Sequence, residues 1–106
     1  MKKLLLTALF ATGMVFAGAT EKIENFSLND YNGKKFSLLD FKDSKAIVLI
    51  FVSTQCPVSN AYNERMASLH NEYKDKKIAV IGINSNKAET ADEIKEHAQE
   101  QHFGFT

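Results

Sequence analysis

A chain of 106 residues, 44% of them hydrophobic, has room for one small domain with a core of its own and no second one. Its 13 basic and 13 acidic residues cancel, which excludes the strongly basic character of a nucleic-acid binder or of a protein held on an acidic membrane. A single cysteine excludes an intramolecular disulfide framework.

The chain opens with Lys2 and Lys3, an apolar stretch over residues 4–16 and then Ala17-Gly18-Ala19, small residues where a signal peptidase reads them. The expectation is a Sec-type signal peptide over residues 1–19 and a domain over residues 20–106. The apolar stretch is shorter than the roughly 20 residues that span a bilayer, so no stable membrane anchor is expected after cleavage. Export would place the domain in a periplasm or outside the cell. An unpaired thiol there is left for catalysis or for an intermolecular bond.

Residues 23–28 alternate apolar and polar side chains and read as a half-exposed strand. Asp30-Tyr31-Asn32-Gly33 carries an Asn-Gly turn signal, and residues 35–37 return as a second strand, so an N-terminal β-hairpin is expected. Leu38-Leu39-Asp40-Phe41 reads as a single helical turn, and residues 42–45 as a charged surface loop.

Residues 47–52 are apolar without alternation, the pattern of a strand buried on both faces of a sheet. Ser53, Thr54, Gln55, Cys56 and Pro57 follow. Proline fits the first position of a helix, where its missing N–H would be unpaired anyway, which puts Cys56 at the N-cap. A sulfur there faces free N–H groups and the positive end of the helix dipole, so its thiolate is stabilised. A free cysteine is often only a small buried hydrophobe. That reading suits a cysteine in mid-strand better than one at a strand end beside a proline.

The helix beginning at Pro57 sets Val58, Tyr62, Met66, Leu69 and Tyr73 on one stripe, expected to pack on a sheet. Residues 78–84 form a second apolar strand, so residues 46–84 read as a β–α–β unit with parallel strands. Ligands of such sheets sit at the carboxyl ends of the strands, where both Cys56 and Asn84-Ser85-Asn86 fall. The Asn-Ser-Asn run is either a plain surface turn or part of the site lining. Thr90 and Glu93 fit a capping box for a last helix, with Ala91, Ile94 and Ala98 as its apolar side and Gly104 as its C-cap. His70, His97 and His102 have no metal spacing and are expected on the surface. No metal or cofactor is expected.

The stretch Phe51-Val52-Ser53-Thr54-Gln55-Cys56-Pro57-Val58-Ser59 resembles the active-site segment of thioredoxin-like proteins. The likeness is to the redoxins, the alkyl hydroperoxide reductase and thiol-specific antioxidant type, together with exported thiol-disulfide oxidoreductases. It runs from about Ile23 to the end, with the Asn-Gly hairpin, the apolar strand, the Cys-Pro helix start, the Val-Ile-Gly-Ile-Asn strand and the final helix in the family's order. The resemblance implies an α/β, thioredoxin-like fold made of the hairpin, the β–α–β unit and a further helix. It also implies that the C-terminal part of that fold, with its cis-proline loop, is missing, since Pro57 is the only proline.

The chain departs from the family at the site as well. Ser59 stands where disulfide-exchanging members carry their second cysteine. Leu49 stands where peroxidase members carry a proline, although Ser53 keeps the hydroxyl they have three residues before the cysteine. Arg65, the only arginine, is nine residues past Cys56, roughly 13 Å along a helix. What the resemblance implies is an exported thiol-dependent oxidoreductase with Cys56 as its single nucleophile and Ser53, Thr54 and Ser59 as supporting hydroxyls. Its partners would be protein or small-molecule thiols and disulfides, or peroxides, with an external thiol as reductant. A one-cysteine peroxiredoxin-like peroxidase is an alternative. A non-catalytic binding or chaperone-like module on the same fold is another.

Overall fold

The computed structural model describes residues 21–106; the expected signal peptide and its cleavage point lie outside the described residues. Strands β1 (Ser27–Asn29) and β2 (Lys35–Ser37) pair antiparallel, with Leu28 opposite Phe36. The turn between them is held by Asp30, whose Oδ1 accepts the N–H groups of Asn32 at 2.9 Å and Lys34 at 2.8 Å. Gly33 takes φ +79°, a conformation that costs glycine little. The first strand was expected from residue 23 but begins at Ser27. Beyond Ser37 the return strand coils into a 3-10 turn, Leu38–Phe41, so after a last bond from the Leu38 N–H to the Phe26 carbonyl the earlier residues have no strand to pair with, and Ile23 is 65% exposed.

Strands β3 (Ala46–Phe51) and β4 (Ile78–Ile83) pair in parallel, in register from Ala46 opposite Ile78 to Phe51 opposite Ile83. This is the expected β–α–β unit. Val80 is buried at its centre, but β3 is half-buried rather than covered on both faces, and Phe51 at its end is 70% exposed. The reason is that the helical connection packs chiefly on β4, which leaves the faces of β3 only partly covered.

The connection is two helices instead of the one expected. α1 (Pro57–Asn60) is a single turn, and α2 (Asn63–Tyr73) follows a break at Ala61 and Tyr62. At the break the Tyr62 N–H bonds to the Ser59 carbonyl, three residues back, at 3.0 Å. Asn63 rather than Tyr62 then takes the inward position and is buried, donating its amide to Asn60 Oδ1 at 3.3 Å. The expected stripe is therefore split. Met66 is buried and Leu69 and Tyr73 half-buried, whereas Val58 is 70% and Tyr62 50% exposed.

Helix α3 (Ala91–Glu100) begins with the expected capping box: Thr90 Oγ1 accepts the Glu93 N–H at 3.3 Å, and Glu93 Oε2 accepts the Thr90 N–H at 2.7 Å. Its C-terminus differs from expectation. His102, not Gly104, takes the left-handed conformation at φ 55°, with Phe103 N–H bonding to the Ala98 carbonyl and His102 N–H to that of Gln99. Gly104 is needed for another reason, since a Cβ there would come within 3.0 Å of the His70 ring. The chain then lays Phe103 and Phe105 against each other, ring centroids 4.7 Å apart, and Thr106 accepts the Gly82 N–H beside β4 at 2.7 Å. His97 meets the Phe103 ring and His70 that of Phe105, so both are half-buried and only His102 is exposed as expected.

Because a side chain at a left-handed C-cap is strained, His102→Gly should stabilise the chain by about 0.5–1 kcal/mol. Urea melts of the two proteins read this directly, and an unchanged or lowered midpoint would show that the His102 side chain holds its conformation without strain.

Candidate functional site

Strand β3 delivers the loop that carries the cysteine. Val52 continues the ladder by donating to the Ile83 carbonyl at 2.9 Å, the chain leaves the sheet over Ser53, Thr54 and Gln55, and Cys56 becomes the N-cap of α1 with extended backbone (φ −83°, ψ 117°). Pro57 occupies the first helical position, as its fixed φ favours. The first intrahelical bond runs from the Asn60 N–H to the Cys56 carbonyl at 2.9 Å, so the N–H groups of Val58 and Ser59 precede the ladder and remain for an anion at the sulfur. Since α1 is one turn long, these local N–H groups, rather than the dipole of a long helix, are what the fold offers the thiolate. Cys56 is a free, half-buried thiol whose side chain makes no capping hydrogen bond.

A residue that sequence reading passed over holds the loop. Glu89, 7% exposed, reaches across from the β4–α3 connection and accepts five hydrogen bonds. Its Oε1 takes the Ser53 hydroxyl at 2.5 Å, the Gln55 N–H at 3.3 Å and the Asn86 amide at 3.0 Å, and its Oε2 takes the Thr54 N–H at 2.9 Å and the Asn84 amide at 2.5 Å. Burial by itself would push this carboxyl up. The donors from Ser53, Thr54, Asn84 and Asn86 outweigh it and bring the pKa down from 4.5 to about 2, so the group is an anion at neutral pH.

The predicted hydroxyls are all brought to this loop, but two of them are committed within it. Ser53 gives its proton to Glu89 and accepts the Gln55 N–H at 3.3 Å. Ser59 Oγ, one helical turn past Cys56, accepts the Ser53 N–H at 3.2 Å and keeps its own proton to donate. Thr54 is held through its backbone, with its carbonyl accepting the Asn60 amide at 2.9 Å. Asn84-Ser85-Asn86 forms a turn, with Asn84 Oδ1 accepting the Asn86 N–H at 2.9 Å, and the amides of Asn84 and Asn86 bond to Glu89. Arg65 lies with its guanidinium 5.5 Å from the Tyr62 ring centre.

A small cavity of about 60 Å³ lies beside the loop, lined in part by Val52, Thr54, Gly82, Asn84, His97 and Phe103; Cys56 does not line it. Among the described residues no three His, Cys, Asp or Glu side chains group as a metal site.

A parallel β–α–β unit with a cysteine-proline helix start at the carboxyl end of its first strand, followed by a further helix, defines a thioredoxin-like α/β domain. The chain belongs to the AhpC/TSA family, which it matches over residues 19–106. It is 33% identical over 73 residues to the thiol-disulfide oxidoreductase ResA of Halalkalibacterium halodurans, an alignment covering 69% of this chain and 41% of that protein. Among solved structures, a hypothetical protein from Sinorhizobium meliloti superposes with TM-score 0.74 at 33% identity, over 77% of this chain and 48% of that one. A thiol:disulfide interchange protein of the thioredoxin family from Chlorobium tepidum superposes with TM-score 0.66 at 22% identity, over 76% and 54%, and shows the shared fold. The chain thus spans about half the length of the proteins it matches.

Proposed function

We propose that the chain is a thiol-dependent oxidoreductase of the exported kind, in which Cys56 alone is the nucleophile. The observation that carries this reading is the position of Cys56: a free thiol at the N-cap of α1, at the carboxyl end of β3, with the Val58 and Ser59 N–H groups unused by the helix. The similarity to ResA, named as a thiol-disulfide oxidoreductase, supports it. The Cys56 thiolate attacks one sulfur of a partner disulfide, a bond forms between the two sulfurs, and the partner's other sulfur leaves as a thiolate that takes up a proton. An external thiolate then attacks the mixed disulfide and frees Cys56, so the partner leaves with one new bond to the external thiol or, after a second external thiol, fully reduced. Ser59 supplies a hydroxyl proton within one turn of the sulfur, and Ser53 and Thr54 hold the loop on which it sits. The exposed Val58 and Tyr62, on the helical segment that follows Cys56, offer apolar surface on which a protein partner can rest. A leader over residues 1–19 would deliver the domain to a periplasm or the exterior, and N-terminal sequencing of secreted material should then begin at Thr20.

Peroxide reduction, with Cys56 going to a sulfenic acid that external thiols clear, is the competing chemistry on the same sulfur. The Ser59→Cys protein separates the two. If the site has the geometry of dithiol exchange, Ser59→Cys forms an internal disulfide, seen as a mass loss of two hydrogens on mild oxidation, and its mixed disulfides with small thiols decay on their own. The natural protein should accumulate stable mixed disulfides under the same conditions. Absence of the internal disulfide, together with turnover of hydrogen peroxide by the natural protein and an external thiol, would establish the peroxidase instead.

A further inference from the structure

The carboxylate of Glu89 is unusual in being buried with no cation bonded to it among the described residues. All five groups that bond to it are neutral: the Ser53 hydroxyl, the N–H groups of Thr54 and Gln55, and the amides of Asn84 and Asn86. Its charge is therefore spread by hydrogen bonding but not cancelled. The charged groups nearest in the chain do not cancel it either. Asp92 and Glu93, in the first turn of α3, add negative charge, Lys87 is exposed to solvent, and Arg65 stands over the Tyr62 ring. The Gln55 N–H that Glu89 holds at 3.3 Å belongs to the residue next to Cys56, so by chain geometry the charge lies within roughly 10 Å of the sulfur. At that separation, beside a partly buried surface, an ion still feels it.

We infer that Glu89 positions the Cys56 loop and, through its uncancelled charge, makes the site select neutral or cationic disulfides over anionic ones such as glutathione disulfide. The inference rests on Cys56 being the reacting group, and deepens that reading by assigning the substrate's charge. In its ground state a substrate with a carboxylate near the scissile sulfur meets like charge at this end of the sheet, and a basic segment of a protein meets opposite charge. Within each class the effect on encounter and on the transition state has the same sign, so it appears in the rate constant for attack by the sulfur.

Two alkylating agents of the same shape and different charge read this without needing the natural substrate. The full chain and a free peptide covering residues 53–59 are each treated with iodoacetate and with iodoacetamide, and the ratio of the two rates is compared. The native protein should disfavour iodoacetate relative to the peptide by about three- to tenfold. In folded Glu89→Gln the ratio should return to within about twofold of the peptide, whatever the loosened loop does to the absolute rates. A purely structural role for Glu89 would alter both rates together and leave the ratio untouched. Where Glu89→Gln does not fold, the native protein read at about 0.01 M and about 1 M salt serves instead, since the excess preference over the peptide should fade as the Debye length shrinks. A ratio equal to that of the peptide, or one that neither Glu89→Gln nor salt moves, overturns the inference. Slow alkylation of Cys56 by both agents would count against its role as nucleophile, and is distinguishable because it leaves the ratio intact.

Discussion

Replacing Cys56 by serine should lower disulfide exchange by at least about a thousandfold while leaving the fold in place. A serine hydroxyl is almost never ionised near neutral pH and cannot form the mixed disulfide, so no covalent intermediate survives the change. The sulfur makes no capping hydrogen bond and is only half-buried, so exchanging it for an oxygen of similar reach should cost less than about 1 kcal/mol of stability. The check is twofold: trapping with a small disulfide followed by mass spectrometry, and a urea melt on the same preparation. Retention of exchange by Cys56→Ser would show that no covalent step passes through this residue.

The second large effect belongs to Glu89. Glu89→Ala leaves the Thr54 N–H, a serine hydroxyl and two amides without their acceptor at a part-buried site, and the Gln55 N–H with Ser53 Oγ alone, and should cost about 2–4 kcal/mol at pH 7. The pH dependence gives the loss a signature. The folded carboxyl titrates at about 2 against an ordinary value of 4.5, so its folded pKa is depressed. Its contribution is then fully present above pH 4.5 and is lost as the pH falls from 4.5 through 2. Glu93, held below its usual range by the Thr90 N–H and hydroxyl although the Glu89 charge raises it, also loses its contribution as the pH falls below 4.5, in both proteins. The stability difference between native and Glu89→Ala protein should accordingly narrow between pH 4.5 and 2.5. A difference that stays constant across that range would mean that the carboxyl is not held as an anion.

How much of this was legible in the sequence depends on the distance over which each signal acts. The Asn-Gly turn, the 3-10 turn at Leu38–Phe41, both apolar strands and the Thr90–Glu93 capping box are local patterns, and the structure has each of them. Cys56 at an N-cap before Pro57 was equally local. Glu89 was not, because its role exists only once two loops at the carboxyl ends of neighbouring parallel strands meet, and nothing in the run Lys87-Ala88-Glu89 distinguishes a clamp from a solvated charge. The visible clue was the Asn84-Ser85-Asn86 run facing the same end of the sheet as Cys56. The break at Ala61 and Tyr62 was hidden for a different reason. A hydrophobic stripe at helical spacing continues through it on paper, while the buried Asn63 amide, bonded to Asn60, turns the first helical turn away from the core. The left-handed cap fell on His102 although Gly104 was available. The Phe103 N–H bond back to Ala98 fixes the cap two residues earlier, and Gly104 is taken by the close approach of His70.

The central claim is that the folded chain activates Cys56 for attack on a disulfide, and 2,2′-dipyridyl disulfide, which is neutral and releases a coloured thione, tests it most directly. Native protein at pH 7 should release one thione per chain, leave one pyridyl adduct on Cys56, and react at least about tenfold faster than the same chain unfolded in urea, because only the folded chain places the cysteine at an N-cap, ahead of the Val58 and Ser59 N–H groups that the helix leaves unused. A native rate equal to or below that of the unfolded chain would contradict it.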